Sequence, residues 1–241
     1  MPVSTVATAY GQGLYNPKAT SAGTVLGSLM WSDSRVYRYC QAGATQLVAG
    51  NVLQAAPPVA GHQGLSVAVA GNIGDRTITV TNGATAVTAN QYAQGMAMVV
   101  GAPGNGFCYL IGSHPALPGA GALTLTLMEP LAAALTTGSK ISLVPSSYAG
   151  VIAAPATTLT GAVVGVATSN TPAGYFDWMQ VAGVAPVLIA GTPAVGQSVS
   201  APSAVAGAAA INSGTLAIIG QMLATGVDTQ NGPVLLTGFS V

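Results

Sequence analysis

Along most of this chain hydrophobic and polar residues alternate in short bursts, separated by turns rich in glycine and proline. A period of two sends successive side chains to opposite faces of an extended strand, so each burst predicts a half-buried β-strand. In RTITVTNGATAVT, Ile78 and Val80 alternate with Thr77, Thr79 and Thr81. Asn82-Gly83 then supplies residue types that accept the positive φ of a tight turn, which predicts a hairpin about that pair. A second hairpin is predicted where residues 96–100 (MAMVV) and 107–111 (FCYLI) flank the loop GAPGNG. LTLTL, residues 123–127, sets three leucines on one face against two threonines on the other. The one segment with helical character is short, residues 129–136, where Pro130 is acceptable in a first turn.

A longer pattern overlies the strands. Three segments repeat the order apolar pair, glycine, short strand, polar turn, second strand: VLGSLMWSDSRVYRYCQAG from Val25, VVGVATSNTPAGYFDWMQVAG from Val163, and a weaker IIGQMLATGVDTQNGPVLLTG from Ile218. In the first two, Gly27 or Gly165 lies ten residues before Tyr37 or Tyr175, and the likeness continues into LVAG (47–50) and LIAG (188–191). A glycine inside a strand marks a bulge or a close backbone approach. The copies predict hairpins of one all-β barrel or sandwich made from residues 25–60 and 146–241. The texture differs over residues 61–145, which predicts a second, small β-domain inserted into the first, although one continuous barrel with a long excursion would leave the same trace. Residues 1–24 mix Thr, Ser, Gly and Tyr without a period and read as an N-terminal arm reaching a neighbouring subunit, or as a poorly ordered terminus.

Charge changes the picture. Five Lys or Arg and five Asp or Glu are the only charged residues among 241, whereas a typical soluble domain carries about 25% of them. The five carboxylates are dispersed, so no acid-base pair is expected. His62 and His114 lie in loops with no Asp, Glu or Cys at ligand spacing, and are read as surface or loop-bracing residues without a metal. No GxSxG motif occurs, and GAPGNG leads into a strand and lacks the Lys-Ser/Thr of a phosphate loop. No enzyme activity and no cofactor are therefore expected. Five cations are too few to grip a nucleic-acid backbone. No apolar run reaches the roughly 20 residues of a membrane helix, and the first residues lack the basic and apolar regions of a signal peptide. Cys40 and Cys108 have no CxxC partner and are expected to be buried free thiols.

The densest mixture of polar and aromatic residues is WSDSRVYRY. Read as one strand, it puts Trp31, Asp33, Arg35, Tyr37 and Tyr39 on one face, amphipathic as interface hot spots are, or else the wall of a barrel with Asp33 paired to Arg35 or Arg38. YFDWMQ, residues 175–180, admits the same two readings. The candidate interface residues are Trp31, Arg35, Tyr37, Tyr39, Tyr175 and Trp178.

The segment GAVVGVATSNTPAGYFDWMQVAGVAPVLIAGTPAVGQSV, with the late IIGQMLAT and GPVLLTGF, resembles the small β-rich decoration (cement) proteins on the heads of tailed bacteriophages. The likeness covers residues 161–241 and extends to 25–50. It implies a virion structural protein on the capsid surface, made in the host cytoplasm. It also implies a homotrimer that clamps neighbouring subunits of the major capsid protein and stabilises the shell. The resemblance assigns no contact residue. A carbohydrate- or receptor-binding β-module of a tail fibre or other phage surface structure is the competing class, and exposed Trp and Tyr platforms would be its mark.

Overall fold

The computed structural model describes residues 5–7, 19–214, 216–237 and 239. The protein is all-β. In chain order the described strands are β1 Thr5–Ala7, β2 Leu29–Ser32, β3 Arg35–Gln41, β4 Val52–Gln54, β5 Leu65–Val69, β6 Thr77–Asn82, β7 Met96–Gly101, β8 Cys108–Ser113 and β9 Gly121–Leu127. They continue with β10 Lys140–Val144, β11 Ile152–Ala153, β12 Val163–Ala167, β13 Phe176–Leu188, β14 Ser198–Ser200, β15 Ala210–Ile211, β16 Ile218–Met222 and β17 Asn231–Leu236. The chain forms two compact units, one from Pro58–Ser146 and one from the residues on both sides of it.

The Pro58–Ser146 unit is a closed barrel of six antiparallel strands in the order β10-β5-β6-β9-β8-β7. Its strands alternate as their sequences dictate. In β9, Leu123, Leu125 and Leu127 are buried while Thr124 and Thr126 are exposed. In β6, Ile78 and Val80 point inward, and outside the barrel Thr79 faces Thr124 with their hydroxyls 3.0 Å apart. Each buried leucine contributes roughly 1.5–3 kcal/mol. Strands β7 and β8 form the expected hairpin around GAPGNG.

Two local expectations fail in this unit. Asn82-Gly83 does not fold into a hairpin, because β6 pairs with β5 and β9. The Asn82 amide instead donates to the carbonyls of Gly83, Thr85 and Gly119 at 3.1, 2.7 and 3.0 Å, and Val87 pairs with Leu117. Residues 129–136 are not helical. Leu131 and Leu135 have helical spacing and are buried, but their amides donate across to Asp75 and Gly71, which replaces the bonds along the segment that a helix needs.

The other unit is an eleven-stranded sheet with the path β1-β2-β3-β13-β17-β16-β14-β15, to which β12 adds against β13 and β4, and β11 against β4. The three sequence copies become the hairpins β2–β3, β12–β13 and β16–β17, and their second strands β3, β13 and β17 lie side by side. In the arm segment, β1 runs parallel to β2 and Ala19 bridges Phe176. Residues 1–4 and 8–18 of that segment lie outside the described residues. The strands that flank Pro58–Ser146 in sequence pair with each other, Gln54 with Ile152 and Leu53 with Ala153.

Strand β13 organises this sheet. Phe176 to Ala182 pair with β3, and Gly183 to Leu188 pair with β17. Met179 and Val181 join one core with Val36, Leu47 and Leu53, while Ala185 and Val187 join a second with Val199, Ile219 and Val234. The strand changes partner at Gly183, which has φ +84 and whose absent Cβ would stand 2.5 Å from the Ser34 carbonyl oxygen. Gly220 answers a similar need on β16, where a Cβ would run into the Leu235 carbonyl oxygen and the Val234 side chain.

Gly220→Ala should lower the unfolding free energy by about 2 kcal/mol or more, because backbone must move to admit the methyl group. Gly83→Ala, where nothing lies within 4 Å and φ is not left-handed, should change it by less than about 0.5 kcal/mol. Urea unfolding of the two variants checks the contrast. Equal losses would contradict it.

Candidate functional site

The expected cluster WSDSRVYRY is a hairpin, not one strand. Its turn is Asp33-Ser34, with Asp33 at φ +55, and it sets Ser32 opposite Arg35, Trp31 opposite Val36 and Met30 opposite Tyr37. Counting across a two-residue turn reverses which side a residue occupies. Trp31 therefore lies on the other side of the sheet from Arg35, Tyr37 and Tyr39, and is 52% exposed.

Strand β13 completes the side that carries the tyrosines. It sets Trp178 opposite Tyr39, Phe176 opposite Gln41 and Gln180 opposite Tyr37. The Tyr39 ring stacks on Phe176 at 5.8 Å and meets the Trp178 ring at 5.1 Å, edge on. The Arg35 guanidinium lies 5.7 Å from the centre of the Tyr37 ring and is paired with Asp33 at 3.1 Å. From Ala19 at the edge of β13 the chain passes onto this face, where the Gly23 amide donates to the Tyr39 hydroxyl at 3.0 Å. Tyr37 and Tyr39 are buried. Of the six candidate residues, Arg35, Tyr37, Tyr39 and Trp178 come together, whereas Trp31 does not. Tyr175 stands one residue before β13, where its carbonyl accepts the Ala42 amide at 2.8 Å. The grouping is a packed aromatic cluster and offers no open stacking platform.

Two polar anchors brace these strands. Asp177, buried on the opposite side of β13, accepts the hydroxyls of Ser169 at 2.9 Å and Thr171 at 2.6 Å and the Trp178 amide at 2.7 Å. Arg38 donates to the Gly27 carbonyl at 2.8 Å and lies 5.3 Å from the centre of the Tyr148 ring. Burial pushes the Tyr148 phenol up, and the neighbouring Arg38 charge partly offsets this.

In the barrel both histidines are buried and brace loops. The Thr85 carbonyl can only accept, so His62 carries its proton on Nε2, 3.3 Å away, and Nδ1 accepts from the Tyr92 hydroxyl at 2.5 Å. His114 accepts the Tyr92 amide on Nε2 at 2.9 Å and donates from Nδ1 to the Pro115 carbonyl at 2.9 Å. Every ring nitrogen has a partner, which makes the set a structural lock. Among the described residues no group of three or more His, Cys, Asp or Glu could hold a metal ion. No described helix is long and apolar enough to cross a membrane.

Both cysteines are free, but Cys108 is exposed, against expectation, while Cys40 is buried. The alternation of β8 turns Tyr109 and Ile111 into the barrel and Cys108 out. Cys108 is the cross-strand partner of Met98, and Met96, Met98 and Val100 are all exposed on β7. Sequence reasoning missed this apolar surface because MAMVV is hydrophobic at every position and shows no alternation. Val184, Leu223 and Leu235 are likewise exposed in the other unit.

Compared with protein-family models, with curated proteins and with solved structures, the chain matches none.

Tyr92→Phe should cost about 1–3 kcal/mol, since it leaves a buried imidazole nitrogen without its donor. Burial also pushes the Tyr92 phenol up to about 12 from an ordinary 10.0. A phenol whose folded value lies above its unfolded one favours folding while neutral. Its stabilisation is thus complete below about pH 10 and is lost as pH rises toward about 12. Urea unfolding across that window should show a fall in stability in the parent that is smaller in Tyr92→Phe.

Proposed function

We propose that this chain is a virion structural protein that decorates a tailed-phage capsid as a homotrimer, binding across neighbouring subunits of the major capsid protein and stabilising the shell. One observation carries the reading: the described residues expose more large apolar side chains than the whole chain has charges. Trp31, Val69, Ile73, Met98, Val195 and Val227 are among those more than 40% exposed, against ten charged residues in 241. Surfaces of this kind are poorly suited to a freely diffusing monomer, because little charge repulsion keeps copies apart. They are well suited to burial in a lattice, since uncharged faces lose less on leaving water than charged ones. Repetition over a shell also lets many weak contacts act together. We read the chain as a structural protein and not as an enzyme. Among the described residues Trp31 is the exposed tryptophan on which the glycan-binding alternative would rest, since Trp178 is packed in the aromatic cluster.

Incubated with expanded, undecorated heads of the phage that encodes it and then pelleted, the purified protein should co-sediment to a saturating ratio and raise the temperature at which the heads break open. Failure to pellet with heads at any ratio, or binding to host-surface glycans in its place, would overturn the reading.

A further inference from the structure

At one end of the six-stranded barrel, Tyr92 is held between two imidazoles. Its hydroxyl donates to His62 Nδ1, and its backbone amide donates to His114 Nε2 at 2.9 Å. The other ring nitrogens are donors, His62 Nε2 to the Thr85 carbonyl and His114 Nδ1 to the Pro115 carbonyl. Each ring therefore gives one proton and receives one, which only a neutral imidazole does. His62 and Tyr92 are 0% exposed and His114 is 5% exposed. Through these bonds the 3-10 turn Ala60–His62 meets the β6–β7 connection, residues 83–95, and the β8–β9 connection, residues 114–120. The two connections are also joined directly: Val87 pairs with Leu117, the Asn90 amide donates to the His114 carbonyl at 3.1 Å, and the His114 amide donates to Asn90 Oδ1 at 3.0 Å. Val87 and Tyr92 belong to the barrel core and Leu117 packs against it. The connections thus form a cover on that core.

This end of the barrel carries no charge. Residues 58–64, 83–95, 113–121 and 143–146 include none of the ten charged residues. The four charges of this unit lie at its other end, Asp75 and Arg76 between β5 and β6, Glu129 between β9 and β10, and Lys140 at the start of β10. The seven residues of β9 separate the two ends, a span of about 20 Å. The titratable side chain that contacts each ring is Tyr92.

We propose that the cover is an acid-operated latch: a proton taken up by His62 or His114 releases the 83–95 and 114–120 connections from the barrel end while the strands stay paired. A proton added to His114 Nε2 turns an acceptor into a donor aimed at the Tyr92 amide, which can itself only donate. One added to His62 Nδ1 makes the Tyr92 hydroxyl accept and turns its own proton away. Either leaves a positive charge buried with no carboxylate beside it, which is strongly unfavourable. Once released, the rings stand in water, where imidazole ordinarily takes up its proton near pH 6.5. The released form then binds more protons than the closed one, so the cover is held above that pH and loosens as pH falls below it. This latch is independent of the decoration reading.

Hydrogen exchange followed by mass spectrometry on the full chain tests it, with the intrinsic exchange rate at each pH divided out. From about pH 7.5 to about pH 5, protection of residues 83–95 and 114–120 should fall at least about tenfold. Over the same range β9, and β13 in the other unit, should change by less than about threefold. The double variant His62→Gln with His114→Gln, whose amides accept through oxygen and take up no proton in this range, should keep the cover's protection level. Should the double variant fold poorly by circular dichroism, the two single variants take its place, and at least one should lose part of the pH dependence. Protection that stays level in the parent overturns the proposal. So does an equal loss in β9 and β13, which is general unfolding, and so does a parent-sized loss in the double variant or in both singles.

Discussion

Strand β13 changes neighbours halfway along its length, and the buried carboxamide of Gln180 supports that change. Its Nε2 donates to the carbonyls of Ala182 and Val184, at 3.0 and 2.9 Å, on either side of Gly183. A strand that bends into the left-handed region risks stranding backbone polar groups away from water, and each buried orphan costs about 1–3 kcal/mol. The Gln180 amide takes up two of those carbonyls at once. Gly183 meanwhile leaves room for the tip of the β2–β3 hairpin at Ser34. With the bend held, one continuous strand places Met179 and Val181 in one core and Ala185 and Val187 in another. Two cores of this unit are thereby tied into a single sheet.

Much of this architecture was legible in the sequence wherever one side of a strand is wet. Thr-Leu alternation in β9 and Thr-Ile-Val alternation in β6 state which side faces the core. The repeated hairpins were legible through their glycines, since Gly165 and Gly220 sit where a neighbouring strand comes too close for a Cβ. Legibility failed where local chemistry served a distant partner. Asn82-Gly83 has the composition of a hairpin turn, yet the Asn82 amide is spent on carbonyls as far away as Gly119. Leu131 and Leu135 have helical spacing because both fill the barrel, and their backbone is satisfied by residues 71–75. Nothing within a short window announces either bond.

The candidate site shows the same division. Tyr37, Tyr39 and Trp178 stand out in the sequence for their density of rings, and they do meet, but register makes them a packed cluster. Trp31 lies on the other side from the one that a single-strand reading gives, because a two-residue turn at Asp33-Ser34 reverses the count. The surfaces richest in exposed apolar groups, on β7 and on the far half of β13, were invisible because both sides of those strands are hydrophobic. On those strands hydrophobicity does not separate inside from outside, and only the three-dimensional ladder does.

The pairing of β4 with β11 has an architectural consequence. Because Gln54 stands opposite Ile152, the chain leaves this sheet and returns to it on adjacent strands, about 5 Å apart. That is the geometry of a hairpin, in which residues 58–146 occupy the place of a loop. Loop closure costs grow only slowly with length, so a whole barrel can stand where a few turn residues would suffice. The host sheet is thus complete without its insert: every strand in its ladders comes from residues outside 58–146.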